Sequence, residues 1–128
     1  MSEEDFKNVI EQYFTAINDM NLEAWVNTFA PDCYHQDPAN GAVLTGHAAI
    51  KVFFQNIGML LAEAHFSTTD IFVCGNSAAV KWLAQVKGKN GRELHIAGID
   101  IFEFNDYGKI QKLLGYWNPA AMIAALQS

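Results

Sequence analysis

Three polar side chains that could take part in acid–base chemistry stand in apolar surroundings. Asp100 interrupts the apolar and β-branched stretch from His95 to Phe104, Asp37 directly precedes Pro38, and Tyr13 lies on the apolar face of an amphipathic pattern. An uncompensated buried carboxylate is costly or stays protonated. Taken alone, Asp100 is best interpreted as an acid that reaches a sheet edge or a nearby cation. Together with Tyr13 and Asp37, it is better interpreted as a carboxyl group placed in an apolar pocket because its shifted protonation state is useful.

The first half of the chain is predicted to be mainly helical. Ser2, with acids at the next three positions and Asp5 in the capping-box position, begins a first helix. A short second helix, a strand from Cys33 to Asp37 and a third helix from Gly46 to about Ile57 follow. The apolar residues that recur at helical spacing are Phe6, Val9, Ile10, Tyr13, Phe14 and Ile17 in the first helix, and Leu22, Trp25, Val26 and Phe29 in the second.

The second half is predicted to be a sheet. Asn90-Gly91 is a strong signal for a two-residue hairpin turn. Asn118-Pro119 begins a terminal helix over 120–126. Helices followed by a meander predict one α+β domain over residues 1–128, with the helices on one face of a curved, mostly antiparallel sheet. The predicted strands are Phe66 to Val73, Ala79 to Lys87, Glu93 to Phe104 and Lys109 to Trp117.

The charge pattern argues against several classes of partner. A net charge of −6 with eight Lys and Arg residues argues against nucleic acid or an anionic membrane as partner. Arg92 is the only arginine, so arginine clamps for phosphate or carboxylate are nearly excluded. The acidic start is unlike a secretory leader, and no apolar run approaches membrane-spanning length. We therefore expect a cytoplasmic protein without nucleic-acid or membrane partners.

The sequence also lacks the patterns of the common cofactor and metal sites. There is no glycine-rich phosphate loop and no nucleophile elbow. Cys33 and Cys74 are expected to be structural thiols that do not pair. We expect no metal, because the four histidines have no paired helical spacing: His35, His47, His65 and His95.

The order of Tyr13, Asp37 and Asp100 resembles that in the ketosteroid isomerases, within the superfamily of nuclear transport factor 2-like and SnoaL-like proteins. The resemblance covers essentially the whole chain. It rests on EQYFTAINDMNLEAW around Tyr13, YHQDPANG around Asp37, TGHAAIKVFF at the third helix, and IAGIDIFEFNDYGKI around Asp100, followed by GYWNP. It implies a cone-shaped fold and a cofactor-independent isomerase that moves a C=C bond of a small apolar ketone.

The same resemblance implies a role for each of the three side chains. Asp37 would be the general base, while Tyr13 and Asp100 would donate hydrogen bonds to the substrate oxygen. Relatives with other activities share this frame, so three alternatives stay open: a SnoaL-like polyketide cyclase, another acid–base enzyme, and a non-catalytic small-molecule-binding or interaction module. An epoxide hydrolase of this architecture would need an arginine beside its acids, whereas Arg92 lies at a predicted turn.

Apolar residues from several elements are expected to line the substrate pocket. Two of them, Phe29 and Phe54, stand where the ketosteroid isomerases have tyrosines that support the first one. His35 shares a side of its strand with Asp37 and is expected to be a histidine with satisfied hydrogen bonds. The expected lining is Phe14, Ile17, Phe29, Phe54, Leu83, Ile96, Leu113 and Trp117, with Lys81 as a further contact.

The predicted hairpin also sets the expected surroundings of Asp100. A two-residue turn pairs Lys89 with Arg92 and places Lys81 opposite Asp100, with Leu83 and Gln85 on the same face. Asp100 would then be either an anion paired with Lys81 or a protonated donor with Lys81 at the rim. We favour the donor, because the three-residue match is more specific than the inferred register.

The other face of this hairpin is predicted to form a homodimer interface. Helices cover only one face of the sheet, and an extensive apolar patch is seldom left in water. In the predicted register this face carries Ala97, Ile99 and Ile101 with Trp82, Ala84 and Val86.

Overall fold

The structure, a computed structural model, describes residues 1–127. Its elements are α1 (Glu3–Asn18), α2 (Leu22–Val26), β1 (Phe29–Gln36), β2 (Leu44–Thr45), α3 (Gly46–Gly58), β3 (Leu61–Cys74), β4 (Ser77–Gly88), β5 (Glu93–Phe104), β6 (Ile110–Tyr116) and α4 (Pro119–Gln127). The strands form one curved, unclosed sheet in the order β2-β1-β6-β5-β4-β3. Neighbouring strands are antiparallel except for β1 and β6. The predicted α+β fold is confirmed.

The first helix begins at the predicted capping box. The Ser2 hydroxyl accepts the Asp5 N–H at 3.2 Å, and the Asp5 carboxylate accepts the Ser2 N–H at 2.8 Å. Both bonds satisfy donors that the first turn of a helix leaves without partners. With the helix fixed in this frame, Phe6, Ile10 and Tyr13 lie on its buried face.

The second helix is shorter than predicted. It ends at Val26, whereas the sequence pattern continued it to Phe29. The Thr28 hydroxyl donates to the Trp25 carbonyl at 2.7 Å, and the Thr28 carbonyl accepts the Ile110 N–H at 2.8 Å. Phe29 is therefore already the first residue of β1, because pairing with β6 replaces a further helical turn.

The start of β3 and the presence of the short strand β2 also differ from the sequence prediction. β3 begins at Leu61 instead of Phe66, and a register shift between Leu61 and Glu63 interrupts the alternation there. β2 was not predicted, since a strand of two residues has no periodicity to detect. Its residues pair with Tyr34 and His35.

The predicted register of the β4–β5 hairpin is wrong by one residue. The Gly88 N–H donates to the Arg92 carbonyl at 2.8 Å, so the loop has three residues instead of two. Gly91 takes a φ of +85° as the last of them, a conformation that glycine adopts without steric cost. The extra residue pairs Lys81 with Ile99 and Val80 with Asp100.

This shift reverses the faces of β4, because a slip of one residue exchanges the two sides of a strand. Trp82, Ala84 and Val86 are buried beneath the helices, although the sequence placed them on the outer face. The residues expected beside Asp100, namely Lys81, Leu83 and Gln85, are exposed on the outer face instead.

The terminal helix lies against the end of the β4–β5 hairpin. Met122 and Leu126 are buried, and the Asn90 side-chain amide donates to the Ala125 carbonyl at 3.0 Å. Within residues 1–127, none of the helices combines the length and the apolar character needed to cross a membrane.

Candidate active site

Tyr13, Asp37 and Asp100 line the same cavity, which has a volume of about 90 Å³. Tyr13 comes from α1, Asp37 follows the last residue of β1, and Asp100 comes from β5. The remaining wall is almost entirely apolar. It consists of Phe14, Ile17, Met20, Trp25, Phe53, Phe54, Ile57, Gly58, Leu61, Ala64, Phe66, Trp82, Val86, Ile96, Trp117 and Met122.

The backbone around Asp37 is fixed by β6. The peptide bond from Asp37 to Pro38 is cis, and the Ala39 N–H donates to the Gly115 carbonyl at 2.6 Å. The indole N–H of Trp117 donates a hydrogen bond to Oδ1 of Asp37. Asp37 is thus held from two sides by residues in or next to one strand.

Burial raises the pKa of the Asp37 carboxyl above its usual value, and the hydrogen bond from Trp117 opposes this change. Desolvation disfavours the charged form of an acid, whereas a donor to the carboxylate favours it. A raised pKa makes the ionised carboxylate a stronger base than an aspartate in water.

Asp100 is 3% exposed and has no cationic partner among residues 1–127. Burial raises its pKa well above the usual range, the negative charge of Asp37 raises it further, and the indole of Trp82 opposes the increase. Because Lys81 lies on the opposite face, it does not compensate the buried charge. The alternative of an ion pair with Lys81 is therefore excluded, Lys81 does not lie at the cavity rim either, and these surroundings favour the neutral, protonated acid.

Tyr13 is also 3% exposed, and its ring packs edge-on against Phe14 and Phe102. Burial raises the pKa of its hydroxyl well above the usual value, and the charges of Asp100 and Asp37 act in the same direction. The nearby Trp25 opposes this change. Tyr13 therefore keeps its proton at neutral pH and can donate it in a hydrogen bond.

Five of the nine predicted pocket residues line the cavity: Phe14, Ile17, Phe54, Ile96 and Trp117. Phe29 and Leu113 are fully buried but lie outside the cavity wall, in the core. Leu83 and Lys81 are on the outer face of the sheet, because of the hairpin register.

Sequence reasoning missed two tryptophans in the cavity wall. Trp25 was placed on a buried helix face, but nothing in its spacing distinguished a pocket from the core. Trp82 was assigned to the wrong face by the register error. Gly91 carried the signal that could have corrected it, since a glycine also fits the last position of a three-residue hairpin loop.

His35 differs from its expected state. Its side chain is 1% exposed, and neither ring nitrogen forms a hydrogen bond with another residue among 1–127. It packs edge-on against Phe53, with ring centroids 4.6 Å apart. Burial lowers the pKa of His35 to about 4, so the ring is neutral at neutral pH. The expectation of satisfied hydrogen bonds is therefore wrong.

No group of three or more His, Cys, Asp or Glu residues within the described 1–127 is arranged to hold a metal ion. The two cysteines are both free, Cys33 buried and Cys74 exposed. The polar groups of the cavity are the hydrogen-bonded carboxyl group of Asp37, the buried carboxyl group of Asp100, the Tyr13 hydroxyl and the indole N–H groups of the lining tryptophans.

Residues 10–113 match the family model of the SnoaL-like domain. Among curated proteins, a steroid Delta-isomerase of Nocardioides simplex is 25% identical over 120 residues, which cover 93% of this chain and 94% of that protein.

Solved structures with the same fold come from proteins of several kinds. SalBIII, described as an epoxide hydrolase/cyclase-like enzyme in pyran ring formation in the polyether salinomycin, superposes with a TM-score of 0.81 at 24% identity, covering 91% of this chain and 93% of its own. An NTF2-like protein of unknown function from Burkholderia pseudomallei superposes with a TM-score of 0.85 at 18% identity, and the match covers all of both chains. TerC, co-crystallised with polyporic acid, superposes with a TM-score of 0.82 at 17% identity, and the match covers 97% of this chain and 99% of TerC.

These structural similarities show the NTF2-like cone fold and nothing finer. The match to the domain model covers most of the chain and includes Tyr13, Asp37 and Asp100. The chain belongs to the family of SnoaL-like domains, which includes isomerases and cyclases.

Proposed function

We propose that this protein is a cofactor-independent isomerase, similar to steroid Delta-isomerases, that moves a C=C bond of a small apolar ketone. The observation that carries this proposal is the presence of Asp37, Tyr13 and Asp100 in one apolar cavity. The similarity to the steroid Delta-isomerase of Nocardioides simplex, which spans nearly the whole chain, supports the same chemistry.

Asp37 is the base in this proposal. Trp117 occupies its Oδ1, which leaves Oδ2 to accept a proton from the carbon alpha to the substrate carbonyl. The raised pKa of Asp37 favours this transfer, provided that the carboxylate is ionised in the resting protein.

Tyr13 and Asp100 bind the substrate oxygen. Removal of the alpha proton shifts an electron pair onto this oxygen, and both residues keep protons with which to stabilise the charge. A preorganised donor in a water-poor site typically contributes about 3–4 kcal/mol to the transition state. Asp37 then returns the proton to a different carbon of the dienolate, which completes the isomerisation without a redox change or cofactor.

Ring closure of the cyclase type is the second candidate, because the family includes cyclases and the same enolate could attack a carbonyl within the substrate. Epoxide opening fits less well. Arg92 is exposed in the β4–β5 loop and does not line the cavity, so no guanidinium group stands beside the acids.

A screen of β,γ-unsaturated ketones tests the proposal, with ultraviolet absorbance reporting the conjugated product. We expect turnover by the wild type and its loss in Asp37→Asn, since the amide keeps the size of the side chain but cannot act as the base. Asp106→Asn, which changes an exposed aspartate, is the matched control and should keep wild-type turnover. Near wild-type turnover by Asp37→Asn would exclude the isomerase mechanism.

A further inference from the structure

Trp82 carries a buried hydrogen-bond donor that the proposed mechanism does not use. The side chain is 3% exposed and lines the cavity, yet its indole N–H has no hydrogen-bond partner among residues 1–127. An indole N–H only donates, and a buried donor without an acceptor costs about 1–3 kcal/mol. Such a group in a native cavity calls for an acceptor close by.

The position of the indole ring is set by Gly98. Trp82 on β4 pairs with Gly98 on β5. A Cβ atom at position 98 would lie 2.5 Å from Cζ2 of Trp82, so the ring occupies space that only glycine leaves open. Cζ2 and Nε1 are bonded to the same ring carbon. The N–H edge of the indole therefore lies over β5, the strand that carries Asp100.

Asp100 is the acceptor within reach of this edge. It lies two residues beyond Gly98 on the same buried face, and such diagonal neighbours are close enough for an aromatic side chain to bridge. The titratable groups that face Asp100 in the cavity are Tyr13 and Asp37. Neither is a cation, and the Trp82 indole opposes the burial-driven rise in the pKa of Asp100.

We propose that Trp82 is a positioning residue whose indole N–H donates to one oxygen of the Asp100 carboxyl group, so that the acid proton resides on the other oxygen and points into the cavity. The hydrogen bond itself is independent of any reaction. Its purpose, aiming the Asp100 proton at a substrate oxygen, rests on the proposed function.

Nuclear magnetic resonance of the ligand-free protein tests the hydrogen bond without any substrate. The chain has three tryptophans and so three indole N–H signals, which single Trp→Phe substitutions assign. We expect the Trp82 signal to shift at the pH where the Asp100 carboxyl carbon titrates, and to lose this shift in Asp100→Leu. The Trp117 signal, which should follow Asp37, is the internal reference for a bonded indole.

Trp82→Phe provides the decisive comparison, because it removes the donor and keeps an aromatic ring. We expect it to raise the pKa of Asp100, since the carboxylate loses a donor. Trp25→Phe removes the same group beside Tyr13 and should leave the Asp100 titration unchanged. An unchanged or lowered pKa of Asp100 in Trp82→Phe would overturn the proposal, as would a Trp82 signal that ignores the Asp100 titration.

The enzymatic role is tested separately on any ketone found in the screen. Trp82→Phe should lower kcat more than it changes KM, because a misaimed proton on Asp100 affects the transition state most. If the hydrogen bond is present but kcat is unchanged, the positioning role fails while the isomerase proposal stands. If the wild type turns over no ketone, the isomerase proposal fails. The hydrogen bond between Trp82 and Asp100 is then still tested by the nuclear magnetic resonance titrations.

Discussion

The carboxyl group of Asp37 occupies the space in which Gly115 would carry a side chain. A Cβ atom at position 115 would overlap Oδ1 and Cγ of Asp37. Gly115 is also the residue of β6 that pairs with Asp100 on β5. One glycine therefore brings the two acids to the same point of the sheet, which accounts for the electrostatic influence of Asp37 on Asp100.

Gly115→Ala is expected to push the Asp37 carboxyl group away from its present position. A displacement of about 1 Å in a reacting group can cost about 100-fold in rate, so we expect kcat on an identified ketone to fall by that order. Denaturant unfolding should show that the variant still folds cooperatively. Wild-type kcat in a folded Gly115→Ala protein would show that the position of Asp37 is not critical.

Trp117→Phe is expected to move the acidic limb of the pH–rate profile to higher pH. The indole N–H stabilises the Asp37 carboxylate and lowers its pKa, so its removal raises that pKa. Activity requires ionised Asp37 and therefore appears only at higher pH in the variant. The measurement is kcat/KM against pH, which reports the free enzyme. An acidic limb that stays in place or moves to lower pH would contradict the assignment of Asp37 as the base.

His35→Leu is expected to reduce the loss of stability on acidification. The pKa of His35 is about 4 in the folded protein and near 6.5 when unfolded, so the unfolded state binds more protons between these values. The wild type should lose up to about 3 kcal/mol through this residue as the pH falls from 6.5 to below 4. Asp37 and Asp100, with raised pKa values, act in the opposite direction in both proteins.

The measurement is the free energy of unfolding in urea at several pH values. His95→Gln, which replaces an exposed histidine on the outer face of the sheet, is the control for the loss of an imidazole. If the free energy of unfolding of His35→Leu changed with pH as steeply as that of the wild type, the buried ring would not titrate as expected.

We also propose that two copies of the chain form a homodimer through the outer face of the sheet. The residues of this face differ from those predicted, because the β4–β5 register is shifted by one residue. Leu83 and Ile99 are 48% and 43% exposed on this face, Tyr116 is exposed and pairs with Ile99, and Phe72 is exposed farther along the same face. Leu83→Glu is expected to shift a wild-type dimer to monomer in sedimentation at micromolar concentration. Val52→Glu, an equivalent change at an exposed position of α3, should leave the dimer intact. A monomeric wild type would remove this proposal.

Much of this architecture follows from local sequence signals. The capping box and the apolar spacing of α1 fixed the buried direction of Tyr13, and Pro38 marked the strand end that carries Asp37. The alternation of β5 placed Asp100 on one face of the sheet. Which residues of β4 lie on that same face depends on whether the loop between the strands has two or three residues. Periodicity in one strand carries no information about its register with the next. Trp82 was therefore predicted on the outer face and Lys81 on the inner face, whereas the structure has the reverse.

The role of Gly115 was beyond sequence reasoning for a related reason. Its function depends on a contact with Asp37 from another part of the chain, and no local pattern encodes such an approach. Likewise, the sequence could not predict that the ring nitrogens of His35 lack hydrogen-bond partners among residues 1–127. This depends on the aromatic rings that the fold packs around His35.

The parallel pairing of β1 with β6 has a consequence for how this scaffold can change. It anchors Asp37 to the same backbone ladder that holds Asp100, whereas Tyr13 and much of the apolar wall come from helices. Substitutions in α1 and α3 can therefore reshape the cavity without separating the two carboxyl groups. The two acids are held by the sheet, whereas Ile17, Phe54 and Ile57 belong to helices, so a library confined to these three positions would sample new substrates over a constant acid pair.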